Sequence, residues 1–331
     1  MKKILVTGGA GMIGSALVSQ LVEQGNEVFV VDNLWRGNMQ NLYDQKGLPF
    51  IDLKTHFFQY DLIQPDVCDH IFKDQAIDFV YHLADVVAGV DYVFRNEGLV
   101  FRHNLLINSN IIDTVKRYTL KGFIYVGTAC SFPAHLQSGL DSRPLRESDQ
   151  YPASPESAYG WSKLIGEYES FLLEKEYRIP VSVLTLHNVY GQPCDFSPEK
   201  SQAIPALIRK AVRYPEEDFI VWGSGEQGRD FIYIDDVVDA LLLAKDRGLG
   251  QGLIQIGSEK CTSIMEIAEN IIEISGKDIN LKFDTSKPEG DRGRSADCTK
   301  AKQVLGWHPK VDKMDGLKKL YLWIDEQINV K

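Results

Sequence analysis

The hydrophobic positions fall into short runs that alternate with longer amphipathic stretches. Five runs are rich in Val, Ile and Phe, end in turn residues and are predicted to be buried strands: KKILVTGG, NEVFVVDN, HFFQYDL, DFVYHLAD and GFIYVGTA. Between the first two runs, SALVSQLVEQ places apolar residues at helical spacing, and FRHNLLINSNIIDTVKRY does the same further on. This alternation predicts βαβ units and a doubly wound parallel sheet.

The pattern changes after about residue 185, where Pro and Gly become more frequent and the elements become shorter. We therefore predict two domains with an approximate boundary. Residues 1–185 would form a Rossmann-type α/β domain, and residues 186–331 a smaller α/β domain that binds substrate. The chain shows no internal repeat and no low-complexity segment.

Composition and charge exclude several classes of partner. The chain has 331 residues, 44% hydrophobic and 25% charged, and a formal net charge of −10. It lacks the basic excess that a nucleic acid or an anionic membrane would require. Five scattered cysteines without a CxxC pair, and seven histidines without ligand spacing, indicate neither a disulfide framework nor a metal site. No run approaches the ~18 apolar residues of a membrane span, and the start MKKILVTGG is too short for a signal peptide. We expect a cytoplasmic protein.

The first strand runs into TGGAGMIGS, a strand-to-helix turn whose GxxGxxG pattern is formed by Gly8, Gly11 and Gly14. Such a turn lets the backbone approach a pyrophosphate at the helix N-terminus, although glycine-rich turns also occur without ligands. Asp32 ends the second strand, where a carboxylate binds adenosine ribose hydroxyls and repels a 2′-phosphate. The glycine turn and Asp32 together predict NAD rather than NADP. Arg36 points the other way, because a nearby arginine would accommodate a 2′-phosphate. Asp61, at the end of the third strand, would reach the adenine or cap a helix.

A tyrosine and a lysine share a helical face in SPESAYGWSKLIGEYE, where Tyr159 precedes Lys163 by four residues. An ammonium group near a phenol favours the phenolate, which can remove the proton of a sugar hydroxyl as hydride leaves the same carbon. The YxxxK pattern alone is frequent by chance. Thr128 strengthens it, because it ends a parallel strand, where ligands of such sheets bind.

TGGAGMIG, Asp32, HLAD, Thr128 and YGWSK together resemble the extended short-chain dehydrogenase/reductase family, the NAD-dependent epimerases and dehydratases of nucleotide sugars. The resemblance covers essentially the whole chain. It implies Tyr159 as base, Lys163 as its electrostatic partner and Thr128 as hydrogen-bond donor. It also implies NAD contacts from Gly8, Gly11, Met12, Ile13, Gly14, Asp32, Asn33, Asp61, Leu62, Leu83, Ala84, Asp85, Asn104, Tyr159 and Lys163.

Residues after Thr128 narrow the choice within the family. Dehydratases carry an Asp-Glu pair there, whereas this chain has Ala129-Cys130, which argues against a 4,6-dehydratase. A cysteine in this place is similar to the GDP-mannose 3,5-epimerases and GDP-fucose synthases, which use it to exchange protons beside a transient ketone. HNVYG and EGDRGR look like the epimerases, and VWGSG and IPALIRK like the synthases. The alternative is that Cys130 fills a small buried space.

One position departs from both relatives. Where they place a second acid, lysine or histidine, this chain has Gln202, and an amide does not exchange a proton at neutral pH. Lys200 would replace that acid if the loop is displaced, or lie on the surface as a solvated charge.

Substrate contacts are implied by the same resemblance. Arg229 and Arg292 match positions that clamp phosphates, for which bidentate arginine is well suited. Asn188 would bind the sugar or its phosphate. Arg209 and Arg294 are weaker candidates, expected as surface charges. The set of substrate-binding candidates is His187, Asn188, Lys200, Gln202, Arg229 and Arg292, with His187 more typical of a structural residue.

The sequence thus predicts an NAD-dependent epimerase of a nucleotide-diphosphate sugar, with a GDP-hexose as first candidate. The alternatives are a nucleotide-sugar 4-epimerase, an NAD(P)-dependent reductase or dehydrogenase of the GDP-fucose synthase type, and a dinucleotide-sensing module. The last has no need of Thr128, Tyr159 and Lys163. The family implies a homodimer through a four-helix interface, for which 101–118 and 159–176 are candidate helices, although packing on the sheet explains their apolar residues equally well.

Overall fold

A computed structural model describes residues 1–287, 289–290 and 292–329. The strands, in chain order, are β1 (Lys3–Thr7), β2 (Glu27–Val31), β3 (Phe57–Phe58), β4 (Phe79–His82), β5 (Gly122–Thr128), β6 (Val181–Leu186), β7 (Asn188–Tyr190), β8 (Ile220–Trp222), β9 (Gly228–Tyr233), β10 (Gly252–Ile256), β11 (Cys261–Ser263) and β12 (Lys282–Asp284). The α-helices are α1 (Met12–Glu23), α2 (Asp69–Gln75), α3 (Val90–Arg95), α4 (Glu97–Val115), α5 (Ala158–Tyr177), α6 (Ala203–Arg213), α7 (Ile234–Leu243), α8 (Ile264–Ser275), α9 (Thr299–Leu305) and α10 (Lys313–Asn329).

Strands with apolar residues on both faces form a seven-stranded parallel sheet in the order β10-β6-β5-β4-β1-β2-β3. Alternate residues of β1 enter two cores, because Ile4 and Val6 point to one face of the sheet and Leu5 to the other. Helices cover both faces, with α1 packed on α7 and α4 packed on α5. The predicted doubly wound sheet is confirmed, although the run HFFQYDL yields a strand of only two residues.

The strand order places the candidate residues at one edge. From β1, the chain moves through β2 and β3 to one side of the sheet and then returns to β4 on the other side. This reversal opens a crevice beyond the carboxyl ends of β1 and β4, where ligands of open α/β sheets bind. Thr7, Asp32, His82 and Thr128 all lie at, or directly after, the carboxyl ends of neighbouring strands.

The C-terminal part contributes two small sheets, β11-β9-β7 and β12-β8, together with packed helices α6, α8 and α10. It also returns β10 to the edge of the large sheet beside β6, and α7 to its face. The predicted domain boundary near residue 185 stays a prediction. Two elements that follow it in the chain pack with the large sheet, β10 as its edge strand and α7 on one of its faces. Among the described residues, no helix is both long and apolar enough to cross a bilayer.

Candidate active site

The turn between β1 and α1 has no room for side chains at its glycines. Gly8 has a φ of +71°, and a Cβ there would lie 2.9 Å from the Ala84 nitrogen. A Cβ at Gly14 would lie 2.1 Å from the Gly8 carbonyl oxygen. Gly11 is the N-cap of α1 and provides no side-chain cap, so the first N–H groups of the helix face the cleft. This cradle fits a dinucleotide pyrophosphate.

Asp32 is fixed in place at the end of β2. Its carboxylate accepts the Ala10 N–H at 3.0 Å and the Leu34 N–H at 2.8 Å. Burial raises the pKa of this carboxyl, and the two N–H bonds oppose that rise. The carboxylate lines the cleft beside the glycine turn and fits the ribose hydroxyls of NAD.

Arg36 reaches the cleft by a path that the sequence did not indicate. Its Nη1 donates to the Val87 carbonyl oxygen at 2.8 Å, and its charged and ionisable neighbours are Asp195, Cys194 and Tyr159. Burial lowers the pKa of the guanidinium. Because Val87 follows β4, Arg36 lies across the switch point, where a cation suits a diphosphate.

The remaining cofactor candidates divide into cleft-lining and supporting residues. Those that line a cleft of about 770 Å³ with Asp32 are Met12, Ile13, Asn33, Asp61, Leu62, Leu83, Ala84 and Asp85. Asp61 also accepts the Ile63 N–H at 3.2 Å, a local turn contact. Asn104 is fully buried on α4, where it accepts the Val86 N–H at 2.7 Å and donates to Ser162 Oγ at 3.2 Å. Asn104 therefore supports the loop after β4.

Thr128, Cys130 and Tyr159 come together because α5 approaches the end of β5 very closely. Thr128 Oγ1 accepts the Cys130 N–H at 3.3 Å and caps the short 3₁₀ turn Ala129–Ser131. A Cβ at Gly160 would lie 2.1 Å from the Cys130 carbonyl oxygen, so only glycine permits this approach. The contact brings the Tyr159 phenol near the Thr128 side chain.

The charge around Tyr159 differs from the sequence expectation. Lys163 was expected to favour the phenolate, but its ammonium group forms an ion pair with Asp85. Burial raises the pKa of the Tyr159 phenol far above its ordinary value, and Cys130 and Asp85 raise it further. The interactions with Thr128 and Arg36 oppose this rise. The prediction missed Asp85 as a second partner of the lysine.

Cys130 contacts a buried arginine. Arg294 Nη2 lies 3.4 Å from Cys130 Sγ and donates to Asn188 Oδ1 at 3.2 Å. Arg294 Nη1 donates to Gln137 Oε1 at 3.1 Å, and the residue is 4% exposed. The expectation of a surface charge was wrong, because the guanidinium lies inside the candidate site.

Arg292 and Arg294 flank Gly293 but have opposite environments. A Cβ at Gly293 would lie 2.0 Å from the Gly139 carbonyl oxygen, so this residue passes against the backbone near Ser138. Arg294 is 4% exposed, whereas the Arg292 side chain is 59% exposed and lies 3.6 Å from Glu289. The sequence contains both arginines, but not which of them points inward.

Arg229 lines the cleft from β9, where it donates to the Glu289 carbonyl oxygen at 3.0 Å. Arg209 is buried rather than exposed, because it pairs with Glu217 at 2.8 Å and donates to the Phe196 carbonyl oxygen at 2.7 Å. The expectation of a surface charge was also wrong for Arg209, which connects α6 to neighbouring loops. Arg229 thus remains a cleft cation, and Arg209 stabilises the wall.

His187, Asn188, Lys200 and Gln202 occupy different places around the cleft. His187, Asn188 and Gln202 line it, Gln202 as the N-cap of α6. His187 is largely buried, contacts Gln255 Oε1 at 3.1 Å and has its pKa lowered by burial. Lys200 Nζ donates to the Trp35 carbonyl oxygen at 3.2 Å and lies 4.9 Å from the Trp35 ring centroid. This contact directs the lysine to the loop after β2 instead of to the place of Gln202.

A buried carboxyl group lies one helical turn beyond Lys163. Glu167 Oε2 accepts from Gln150 Nε2 at 2.9 Å, and Oε1 is buried without a hydrogen-bond partner among the residues that the structure describes. Burial raises the pKa of Glu167 to about 7. Sequence reasoning missed this residue, because a glutamate in GEYE reads as a solvated helix position.

Glu167→Gln is expected to stabilise the protein more at pH 8 than at pH 5. The folded state keeps the Glu167 proton that the unfolded chain loses above its ordinary pKa, so the wild type loses stability as pH rises through this window. Glutamine removes that loss, worth about 2–3 kcal/mol at about 1.4 kcal/mol per pKa unit. Thermal unfolding of both proteins at the two pH values checks it, and a gap that stays constant with pH would contradict it.

The model of the NAD dependent epimerase/dehydratase family matches residues 4–257. The chain belongs to this family. The match confirms the resemblance and the family's cofactor, NAD, which suits the glycine cradle and Asp32.

Relatives include enzymes of two kinds. GDP-mannose 3,5-epimerase from Arabidopsis thaliana is 30% identical over 98% of this chain and 83% of its own. GDP-L-fucose synthase 1 from the same plant is 30% identical over 97% of this chain and 92% of its own. Among solved structures, UDP-glucose 4-epimerase from Thermotoga maritima, with UDP-glucose, has a TM-score of 0.87 and 30% identity, covering 99% of this chain and all of that one. The chain is thus similar to epimerases of different nucleotide sugars.

Proposed function

We propose that this protein is an NAD-dependent epimerase of a nucleotide-diphosphate hexose, with a GDP-hexose as first candidate substrate and a transient 4-keto sugar as intermediate. The observation that carries the proposal is the Cys130 thiol beside Arg294, at the same strand end as Thr128 and Tyr159. A 4-epimerase has no need of a thiol held next to a cation there. Similarity to GDP-mannose 3,5-epimerase supports the choice of sugar nucleotide.

The proposed chemistry uses the two sides of the site separately. NAD, when bound, supplies the hydride acceptor and donor for C4 of the sugar. Tyr159 removes the proton of the C4 hydroxyl, and Thr128, beside the phenol, acts as a hydrogen-bond donor to the reacting oxygen. The resulting ketone acidifies the neighbouring carbons, so that Cys130 can remove a proton there. Arg294 fixes the sulfur position and compensates its negative charge.

The number of sugar carbons that can be inverted depends on whether the site has a second proton-transfer group besides Cys130. Gln202 lines the cleft at the place of the relatives' acid, and Lys200 is held by Trp35. We therefore propose inversion beside the ketone at a single carbon, C3 or C5, with Cys130 removing the proton from one face and water returning one to the opposite face. Arg229 is proposed to bind the substrate diphosphate from β9.

A second candidate function is nucleotide-sugar 4-epimerisation. It is favoured by similarity to UDP-glucose 4-epimerase over the whole chain, and it requires only Thr128, Tyr159 and Lys163. Reduction of a 4-keto sugar, as in GDP-fucose synthase, is the third reading, and it consumes dinucleotide stoichiometrically.

The deciding experiment is NMR of the purified protein with GDP-mannose in heavy water, without added cofactor. We expect deuterium at C3 or C5, and a Cys130→Ala variant that loses this exchange while Cys261→Ala, a cysteine of β11, retains it. Conversion of UDP-glucose to UDP-galactose without carbon-bound deuterium would establish the 4-epimerase instead. Consumption of NADPH in proportion to product would establish the reductase.

We further propose a cytoplasmic homodimer that packs through α4 and α5. These helices contact each other and carry exposed apolar side chains: Leu99, Trp161 and Tyr168. An exposed apolar surface of this kind is typical of an interface. The five cysteines are free, which fits a reducing compartment. Sedimentation equilibrium checks the dimer against the 37.3 kDa chain mass.

A further inference from the structure

Lys163 and Asp85 form a buried ion pair inside the candidate active site. Lys163 comes from α5 and Asp85 from the loop directly after β4, and their side chains are 4% and 1% exposed. The ammonium group also lies 4.5 Å from the ring centroid of Tyr125. The lysine is thus held between a carboxylate and the face of an aromatic ring, both of which attract a cation.

A chain of hydrogen bonds ends on the Asp85 carboxylate. Thr7 Oγ1 accepts the N–H groups of Leu83 and Ala84 at 3.2 and 3.3 Å, which leaves its hydroxyl to donate to His82 Nδ1 at 2.7 Å. His82 Nε2 then donates to Asn108 Oδ1 at 2.9 Å.

The last link is Asn108 Nδ2, which lies 3.4 Å from Asp85 Oδ1. Burial lowers the pKa of His82 to about 3, so the ring is neutral and donates from one nitrogen only. Each donor in the chain therefore points toward Asp85. Burial raises the pKa of the Asp85 carboxyl, and Lys163 and the hydrogen bond from Asn108 oppose that rise.

The groups that face Lys163 and Tyr159 come from four elements. His82 is the last residue of β4, and Asp85 lies in the loop after it. Tyr125 and Thr128 belong to β5, and Cys130 lies in the turn that follows. Glu167 lies on α5, and Arg36 extends from the loop after β2. Glu167 and His82 interact with Lys163, while Cys130 and Arg36 interact with Tyr159. Asp85 interacts with both residues.

We propose that Asp85 is a positioning residue of this site, which anchors the Lys163 ammonium group and offsets its charge, so that the ionisation of Tyr159 is set by the pair and not by the lysine alone. The inference rests on the roles of Tyr159 and Lys163 in the proposed function. The cation that would favour the phenolate is shared with a carboxylate. Removing that carboxylate charge therefore makes the phenolate easier to form.

The test is an ultraviolet titration of tyrosine ionisation at about 295 nm, with NAD present. Subtracting the titration curve of Asp85→Asn/Tyr159→Phe from that of Asp85→Asn isolates the Tyr159 signal in the variant. Subtracting the curve of Tyr159→Phe from that of the wild type gives the reference signal. We expect the Tyr159 curve of Asp85→Asn to move to lower pH by about one unit, the size of a close charge effect. Coincident curves, including no Tyr159 signal in either protein, or a shift to higher pH, would overturn the proposal.

Two variants guard the result. Asp85→Ser keeps a hydrogen-bonding group for Asn108 and replaces Asp85→Asn if the latter does not fold, as judged by circular dichroism. Asp113→Asn removes one negative charge from the exposed side of α4, where Asp113 is 66% exposed and paired with Lys116, and is expected to leave the Tyr159 curve unchanged. The titration needs no substrate, so it stands even if no sugar nucleotide is turned over.

Discussion

Tyr159→Phe is expected to lower kcat by about 10²–10⁴-fold, the usual contribution of a positioned acid–base group. The variant loses the hydroxyl beside Thr128 and keeps the ring that fills the same buried space. Folding and NAD binding should therefore change little. The measurement is turnover of the sugar nucleotide identified by NMR, together with the dinucleotide content of the purified protein.

The matched control for this variant is Tyr177→Phe, at the last turn of the same helix, where the side chain is 46% exposed. It should retain wild-type turnover. A Tyr159→Phe protein with more than about a tenth of wild-type activity would exclude the phenol as the base, because an essential proton acceptor cannot be removed at so small a cost.

The fold was predictable because its signals are local. Each of the first strands is a short apolar run, and the sheet requires only that such runs alternate with amphipathic helices. The exceptions have tertiary causes. β3 contains only Phe57 and Phe58, since two residues of HFFQYDL pair with β2, and β10 joins the large sheet from a distant part of the sequence, which no local pattern reveals.

The parts of the candidate site that the sequence could predict are those whose relative positions follow from helical or strand spacing. Tyr159 and Lys163 lie one turn apart, and Thr128 and Cys130 follow a recognisable strand. The ion pair between Lys163 and Asp85 joins α5 to the loop after β4, so it depends on tertiary contact. HLAD shows the aspartate without showing its partner.

The burial of Arg294 depends on tertiary contacts, because its guanidinium meets Gln137, Asn188 and Cys130 from other segments of the chain. The residues around Arg294 in the sequence do not show these partners. The Arg36 contact with Val87 is of the same kind, since it joins the loop after β2 to the end of β4. In both cases the sequence shows the arginine but not the direction in which its side chain points.

Arg294→Met is the second variant for which we expect a large effect. It removes the contacts with Cys130 Sγ, Asn188 Oδ1 and Gln137 Oε1 of a side chain that is 4% exposed. Leaving the buried Gln137 Oε1 without this donor should destabilise the folded state by about 1–3 kcal/mol. Loss of the cation beside Cys130 should lower the rate of carbon-bound deuterium exchange by at least about tenfold, the effect of some 1.4 kcal/mol in a barrier.

Arg292→Met separates this role from general phosphate binding. Arg292 is two residues away and exposed, so its loss should leave thermal stability unchanged and act on KM if it binds the diphosphate. Arg294→Lys keeps the charge but cannot hold three acceptors, and should recover part of the exchange rate. If Arg294→Met and Arg292→Met lower exchange and stability equally, the contact with Cys130 has no special part in the chemistry, and the thiol is better explained as packing.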